Sequence, residues 1–489
     1  MLRSGAMECK FNQQELEKIR EWVYGHKEEL KEDLRRLVAV PSVSEPDSGE
    51  KPYGKECKKV LEEMMAIAAS YGLTANNYEY HFAGMGLRPY VYGENAISVW
   101  NHLDVVAAGD GWTFPAYEMS EKDGFLIGRG IQDNKGPAAG ALYALRYLKE
   151  EEERLGLRHN FVLFTGCSEE RGMEDMEYFM SHYKMDGFQL VADCAFPLGH
   201  GEKGILNLTY EKQLEPDSLI LGLSAGSSVN SIPGEAHIRL KKVPGLMEAL
   251  QHVGKNGITV EEEPESLKVE ALGIGGHVGF PEGSVHALYV LTEALQDLEF
   301  FQEEDRRLFQ FLCRMNGDFH GKGAGIACED ELSGALCGAL NIARYQEEGS
   351  KKYVWMQSDH RYPITGAAGA EIGERLVRLA SLYGCKAVIK KDEKPYYLDP
   401  ESDTVKTVMS AYRAVTGKDS RPFTMSGGTY ARKLPNAVSY GMSLEKKRIY
   451  QDPKRPGASG DCHQPDESLD FSQLLEAVVI YIATLLALD

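Results

Sequence analysis

Three short apolar runs, each closing on metal-binding residue types, constrain the fold of this 489-residue chain more than any other feature. Residues 96–100 (AISVW) lead into Asn101-His102-Leu103-Asp104. Residues 160–165 (NFVLFT) lead into Gly166-Cys167-Ser168-Glu169-Glu170, and 189–192 (QLVA) into Asp193. Unbroken apolar runs of this length read as strands buried on both faces, the parallel-sheet type. Open α/β sheets place their sites at the carboxyl ends of such strands.

Helical spacing surrounds the runs. Leu16, Ile19 and Val23 share a face, as do Leu30, Leu34, Leu37 and Val38, and 56–71 reads as a third helix. Pro41 ends the second of these. Pro137 suits a first helical turn, after which Ala138, Ala141, Leu142, Leu145 and Leu148 make one apolar face. From about Gly204 the texture changes to alternating strands such as 236–240 and 267–271, a helix near 284–298, a strand at 353–358 and a helix at 370–383. That is an α+β pattern of half-exposed antiparallel strands. Near Pro395 the first pattern returns, with a helix at 402–415, a strand at 437–441 and a last helix at 471–488. The reading is an α/β domain with a mixed sheet, 1–203 and 391–489, interrupted by an α+β insert at 204–390.

Composition excludes several classes. A net charge of -20 argues against nucleic acid as partner. No run of eighteen apolar residues exists, so no membrane span is predicted, and the N-terminus lacks the apolar core of a secretory signal. Met7 as well as Met1 could be the natural start. Nine cysteines without a C-x-x-C pair point to a reducing cytoplasm rather than a disulfide framework.

His102 and Asp104 form an H-x-D pair, an imidazole with a carboxylate placed to steer it. Asp133 follows a Gly-Arg-Gly turn and shortly precedes a helix. Adjacent Glu169 and Glu170 point in different directions from one loop, so one can bind metal while the other faces substrate. His463 lies in the polar loop G-D-C-H-Q-P-D-E before the final helix. Singly, each has a commoner bland explanation as a solvated or capping group; the ordered set is what points to a two-metal hydrolase.

With these residues in place the sequence resembles peptidase family M20, the co-catalytic metallopeptidases, and within it the dipeptidase V branch, from V-A-V-P-S-V-S at 38–44 to the H-Q-P-D-E element. The resemblance implies two divalent ions, Zn²⁺ expected and Mn²⁺ or Co²⁺ possible. It implies His102, Asp133 and Asp193 on one ion, and Asp133, Glu170 and His463 on the other. Glu169 would be the general base, Asp104 the residue orienting His102, and Asp133–Asn134 a cis peptide. In the insert it implies Asn230 (V-N-S-I-P-G), His277 (G-I-G-G-H) and Arg361 (H-R-Y-P) as substrate contacts, with Gly427, Gly428 and Thr429 of M-S-G-G-T-Y-A-R beside them. The insert would be an enlarged ferredoxin-like lid of two similar lobes on a monomeric dipeptidase, with a dimer left open. An N-acyl amino acid deacylase of the same machinery is the alternative, and an inactive metal-binding homologue a more distant one. Asn101, Cys167-Ser168 and Ser426 depart from the family pattern at positions beside the site. Cys167, Cys194 and Cys462, each within two residues of a proposed functional group, read as small buried hydrophobes, with redox sensitivity of the site as the alternative.

Overall fold

The computed structural model describes residues 12–91, 95–253, 257–453 and 459–489; Met1 and Met7 lie outside them. The chain forms two compact units. Among the described residues, the first takes those within 1–200, 398–423 and 429–489, and the second those within 201–397 and 424–428.

The first unit is built on a mixed sheet. Its order runs Thr74–Tyr78, Phe82–Gly86, Phe161–Gly166, Ile97–His102, Phe188–Val191 and Ala437–Ser439, followed by the strand that begins at Gly199. The four strands from Phe161–Gly166 to Ala437–Ser439 pair in parallel, whereas Phe82–Gly86 and Gly199 pair antiparallel at either side. The apolar runs are therefore the centre of the sheet, and residues 97–102 and 161–166 are buried throughout. One face packs on the helices Gln13–Gly25, Lys27–Val38, Lys55–Ser70, Lys135–Glu150, Asp403–Thr416 and Phe471–Leu488 in a single apolar core. The other carries an aromatic cluster under the helix Glu174–His182, with Trp100 stacked on Phe164 at 4.4 Å and Phe179 edge-on to both.

One expectation changes here. Lys135–Glu150 is not amphipathic with one apolar face: every residue from Lys135 to Leu148 is buried, because the helix is enclosed by the sheet and by neighbouring helices. The terminal helix Phe471–Leu488 is, by length and composition, apolar enough to cross a membrane. It is instead a core helix, 72% buried, packed on the helices at 13–25, 135–150 and 403–416.

The second unit holds one continuous eight-stranded antiparallel sheet, ordered Ile258–Glu262, Ser266–Leu272, Glu235–Lys241, Ile220–Ala225, Cys337–Glu348, Lys351–Tyr362, Gly204–Gln213, Lys386–Glu393. Alternate residues such as Ala236, Ile238 and Leu240 enter a separate core with the helices Leu246–Val253, Ala287–Leu295, Glu303–Asn316 and Gly369–Leu382. The helix expected near 284–298 is confined to Ala287–Leu295, and a second, Glu303–Asn316, follows it.

Candidate metal centre

The parallel strands deliver side chains to one edge of the first unit's sheet. His102 is the last residue of its strand, Glu169 and Glu170 follow Gly166 by three and four residues, and Asp193 follows Val191 by two. Asp133 comes two residues ahead of the helix Lys135–Glu150, and a cis peptide joins it to Asn134, the residue that precedes the helix. His463 stands in the loop before the final helix, at φ 61°.

Two trios result: His102, Asp133 and Asp193, and Asp133, Glu170 and His463, with the donor atoms of each within 4.8 Å of one another. Asp133 belongs to both through different oxygens. Its Oδ1 lies 3.0 Å from His102 Nε2, and its Oδ2 lies 3.3 Å from His463 Nε2. His102 Nε2 is also 3.7 Å from Asp193 Oδ2, and His463 Nε2 is 3.0 Å from Glu170 Oε1. Imidazole nitrogens with carboxylate oxygens are the donor set that Zn²⁺ and Mn²⁺ take, so the residues fit a pair of divalent cations.

Electrostatics follow from crowding. Burial pushes the Glu169 carboxyl well above the usual carboxylate range, and Asp193, Glu170 and Asp133 push it further, against the pull of His102. Burial also raises Glu170, with Asp133 adding to it and His463 opposing. Burial disfavours charge on both histidines, but the carboxylates outweigh it. Asp104, Asp133 and Asp193 lift His102 well above an ordinary imidazole, and Asp133 and Glu170 lift His463 to about 11. The cluster thus demands positive charge.

Asp104 does more than steer. His102 Nδ1 lies 3.0 Å from the Asp104 carbonyl and 3.3 Å from its Oδ1, which fixes the ring with Nε2 towards Asp133. The same carboxylate accepts the backbone N–H groups of Glu169 at 3.2 Å and Glu170 at 3.1 Å. Asp175 accepts the two preceding ones, Cys167 at 2.9 Å and Ser168 at 2.8 Å, and also the Tyr430 hydroxyl at 2.5 Å. Four consecutive N–H groups are therefore held by two buried carboxylates. Sequence reasoning missed Asp175, and it missed Glu467, which accepts from the loop that bears Asp133. Asn101, the departure ahead of His102, donates to the Asn134 side chain and to the Ala192 carbonyl, so it ties the Asp133 and Asp193 loops together. Asn134 in turn donates to Asp193 Oδ1 at 2.8 Å. Burial pushes the Cys167 and Cys462 thiols well above the usual thiol range.

In the second unit, Asn230 and His277 lie side by side: His277 pairs with Ser231, and Val278 N–H donates to the Asn230 carbonyl at 2.9 Å. Arg361 is buried at 5% exposure. Its guanidinium forms a two-pronged pair with Asp359 at 2.9 and 2.8 Å and donates to the Ser426 carbonyl at 2.9 Å. Gly279 sits where an added Cβ would meet both the His277 ring and the Ser426 side chain at about 3.1 Å, which joins these groups into one patch. Gly427 and Gly428 follow Ser426 in this unit. Thr429 belongs to the first unit, where its hydroxyl caps the 3₁₀ helix Tyr430–Lys433 by accepting from Ala431 N–H at 3.2 Å.

The family model described as peptidase family M20/M25/M40 matches residues 99–487. "Putative dipeptidase YtjP" of Bacillus subtilis is 28% identical over 470 residues, covering 93% of this chain and 96% of that protein. A protein of Staphylococcus epidermidis named "Putative dipeptidase" is 26% identical, covering 96% and 99%. Among solved structures, human carnosine dipeptidase 1 has a TM-score of 0.55 at 14% identity, covering 97% of this chain and 99% of that one. The di-peptidase Dug1p of Saccharomyces cerevisiae has 0.57 at 13%, covering 97% and 98%.

Proposed function

The chain belongs to peptidase family M20/M25/M40 and is a metallopeptidase, and on that premise we propose that it is a dipeptidase acting on unblocked dipeptides through two divalent ions. The observation that carries the two-ion reading is the division of the Asp133 carboxylate, one oxygen to each histidine-carboxylate set. His102 and Asp193 with Asp133 would hold one ion, and Glu170 and His463 with Asp133 the other, Zn²⁺ being expected and Mn²⁺ or Co²⁺ able to serve. The ions, when bound, supply Lewis acidity, which polarises a scissile carbonyl and makes water a nucleophile near neutral pH.

Glu169 is the proposed general base. It takes a proton from the attacking water and delivers it to the leaving amine. Asp104 keeps its backbone in place. On the second unit, whose part at about 204–390 is proposed as a ferredoxin-like lid of two lobes, Asn230, His277 and Arg361 are assigned to substrate recognition. Gly427, Gly428 and Thr429 of the M-S-G-G-T-Y-A-R loop are assigned to offer backbone N–H groups to a carboxylate. The Asp359 and Ser426 contacts of Arg361 use three of its five N–H donors, and among the described residues two remain for that task. A cytoplasmic monomer is proposed; the described cysteines are all free thiols, as a reducing compartment keeps them.

The test is amine release from a panel of unblocked dipeptides and N-acyl amino acids, with enzyme replete in Zn²⁺, Mn²⁺ or Co²⁺. Turnover of dipeptides is expected. Cleavage of the acylated compounds alone would replace this reading with the deacylase, and silence on both would leave a non-catalytic metal protein.

A further inference from the structure

We propose that Glu467 is a positioning residue for the Asp133–Glu170–His463 metal position, holding the two loops that supply Asp133 and His463 in one fixed relation. The proposal rests on the two-metal reading above.

Glu467 is four residues beyond His463 and 1% exposed. Both its oxygens are used, and among the described residues their donors belong to the other loop. Oε2 accepts from Arg129 Nη1 at 2.7 Å and Gly130 N–H at 2.9 Å. Oε1 accepts from Gln132 N–H at 2.9 Å and Asp133 N–H at 3.1 Å. Its own carbonyl accepts from Gly128 N–H at 2.9 Å. One side chain therefore grips residues 129 to 133 at four points, ending on the peptide that carries the shared ligand. Fixing that peptide fixes the direction in which the Asp133 carboxylate leaves the chain, which is what divides its oxygens between His102 and His463.

The near end is equally rigid. The His463 loop closes on itself through Gly460 N–H to the Pro465 carbonyl at 2.9 Å and Ser468 N–H to the Gly460 carbonyl at 3.0 Å. Asp466, buried beside Glu467, fastens a third segment by accepting Thr113 N–H at 2.7 Å and Phe114 N–H at 3.1 Å. Arg129, also 1% exposed, neutralises Glu467 and donates to the Ala108 carbonyl at 3.2 Å.

A merely structural reading treats Arg129–Glu467 as a buried ion pair that an apolar pair could replace. An apolar pair would leave three backbone N–H groups at 130, 132 and 133 without acceptors, so the carboxylate is needed for the loop itself. The effect is also selective. His102 and Asp193 are fixed by adjacent strand ends, so the first position keeps two of its three donors in place without Glu467. The second takes Asp133 and His463 from the two loops that Glu467 joins at four points, with one further side-chain bond from Gln132 to Asp461 at 3.1 Å, and it should be the one that weakens.

The experiment is titration of the metal-free full-length protein with Co²⁺, read by visible absorption and by metal content after dialysis. Wild type should bind two equivalents. Glu467→Gln turns one acceptor into a donor facing N–H groups. It should bind the first Co²⁺ as wild type does and the second about 10–100-fold more weakly, the usual scale for loss of a group that orients a ligand, with an altered spectrum for that ion. Glu467→Asp, which keeps charge but loses reach, should fall between. Two Co²⁺ bound by both variants with wild-type affinity and spectrum would overturn the proposal, as would equal weakening at both positions. If the variants do not fold, hydrogen exchange of metal-free wild type decides. Protected amides at 130, 132 and 133 support pre-organisation by Glu467, and free exchange until metal is added refutes it. A wild type that binds one Co²⁺ would sink the two-metal reading instead.

Discussion

Asp104→Asn separates two jobs that one carboxylate performs. The aspartate accepts from His102 Nδ1 and from the backbone N–H groups of Glu169 and Glu170. An amide of the same shape keeps one acceptor oxygen and turns an NH₂ group towards a donor, in a site with 0% exposure. One buried N–H left without an acceptor costs about 1–3 kcal/mol. If the cost falls on His102, the first ion binds about 10–100-fold more weakly, and raising the metal concentration restores full activity. If it falls on the glutamate loop, Glu169 moves from its place and saturating metal does not help. Both contacts come from one carboxylate, so the expected result has two parts: weaker metal binding, and a kcat at saturating Zn²⁺ that stays at least ~10-fold below wild type. The assay is kcat against free Zn²⁺ in a chelator buffer. Recovery of wild-type kcat at high Zn²⁺ would refute the claim that Asp104 positions the base.

Three further outcomes are expected. Glu169→Gln should retain its metal while kcat falls by ~10²-fold or more, the scale of a lost general base; loss of an ion on metal analysis would make Glu169 a ligand instead. Arg361→Ala should lower stability by about 3–5 kcal/mol, because Asp359 is left as an unpaired buried charge, and should impair dipeptides with a free carboxylate more than their amides; equal loss on both would remove the clamp. His286 is 2% exposed, and burial holds its pKa down to about 3 against an ordinary 6.5. The unfolded chain then binds the extra proton between those values, so its contribution is present above pH 6.5 and is lost as pH falls, by about 2 kcal/mol at pH 5. Thermal melts of His286→Asn should show a shallower decline between pH 7 and 5 than wild type, and parallel declines would contradict the sign.

The central strands were legible because a strand buried on both faces is apolar over most of its length, as 161–164 is. The flanking hairpin was not. Thr74–Tyr78 has three exposed residues, and Phe82–Gly86 owes its burial to neighbours rather than to its Gly-rich sequence. The helix Glu303–Asn316 buries Leu308, Phe309, Phe311, Leu312 and Met315, a spacing present in the sequence but dense with charge between. For the site, residue type and order marked His102, Asp133, Glu170, Asp193 and His463 as a set, and the two trios contain those five. Nothing in the order said that Arg361 would be occupied by its neighbour two residues back on the same strand. That depends on both side chains leaving one face of a strand, and on burial that only the tertiary packing supplies.

The acidic residues around the centre fall into two kinds, and the division explains why the sequence reveals one and conceals the other. Asp104, Asp175, Asp466 and Glu467 face backbone N–H groups, which use their lone pairs. Asp133, Asp193 and Glu170 have oxygens directed at imidazoles. A carboxylate already accepting from several peptide donors is a poor ligand, since a cation would have to displace bonds that fix the loop. The first kind is therefore satisfied by the fold before any metal arrives, and the second gathers negative charge beside two imidazoles. Peptide orientation makes that choice, residue by residue, and it arises from turns such as the one at His463 and Asp466, both at positive φ. The same Glu-Glu or Asp-Glu pair in a loop can serve either way. At 169–170 the backbone is held and a side chain is free for chemistry, whereas at 466–467 the side chains do the holding.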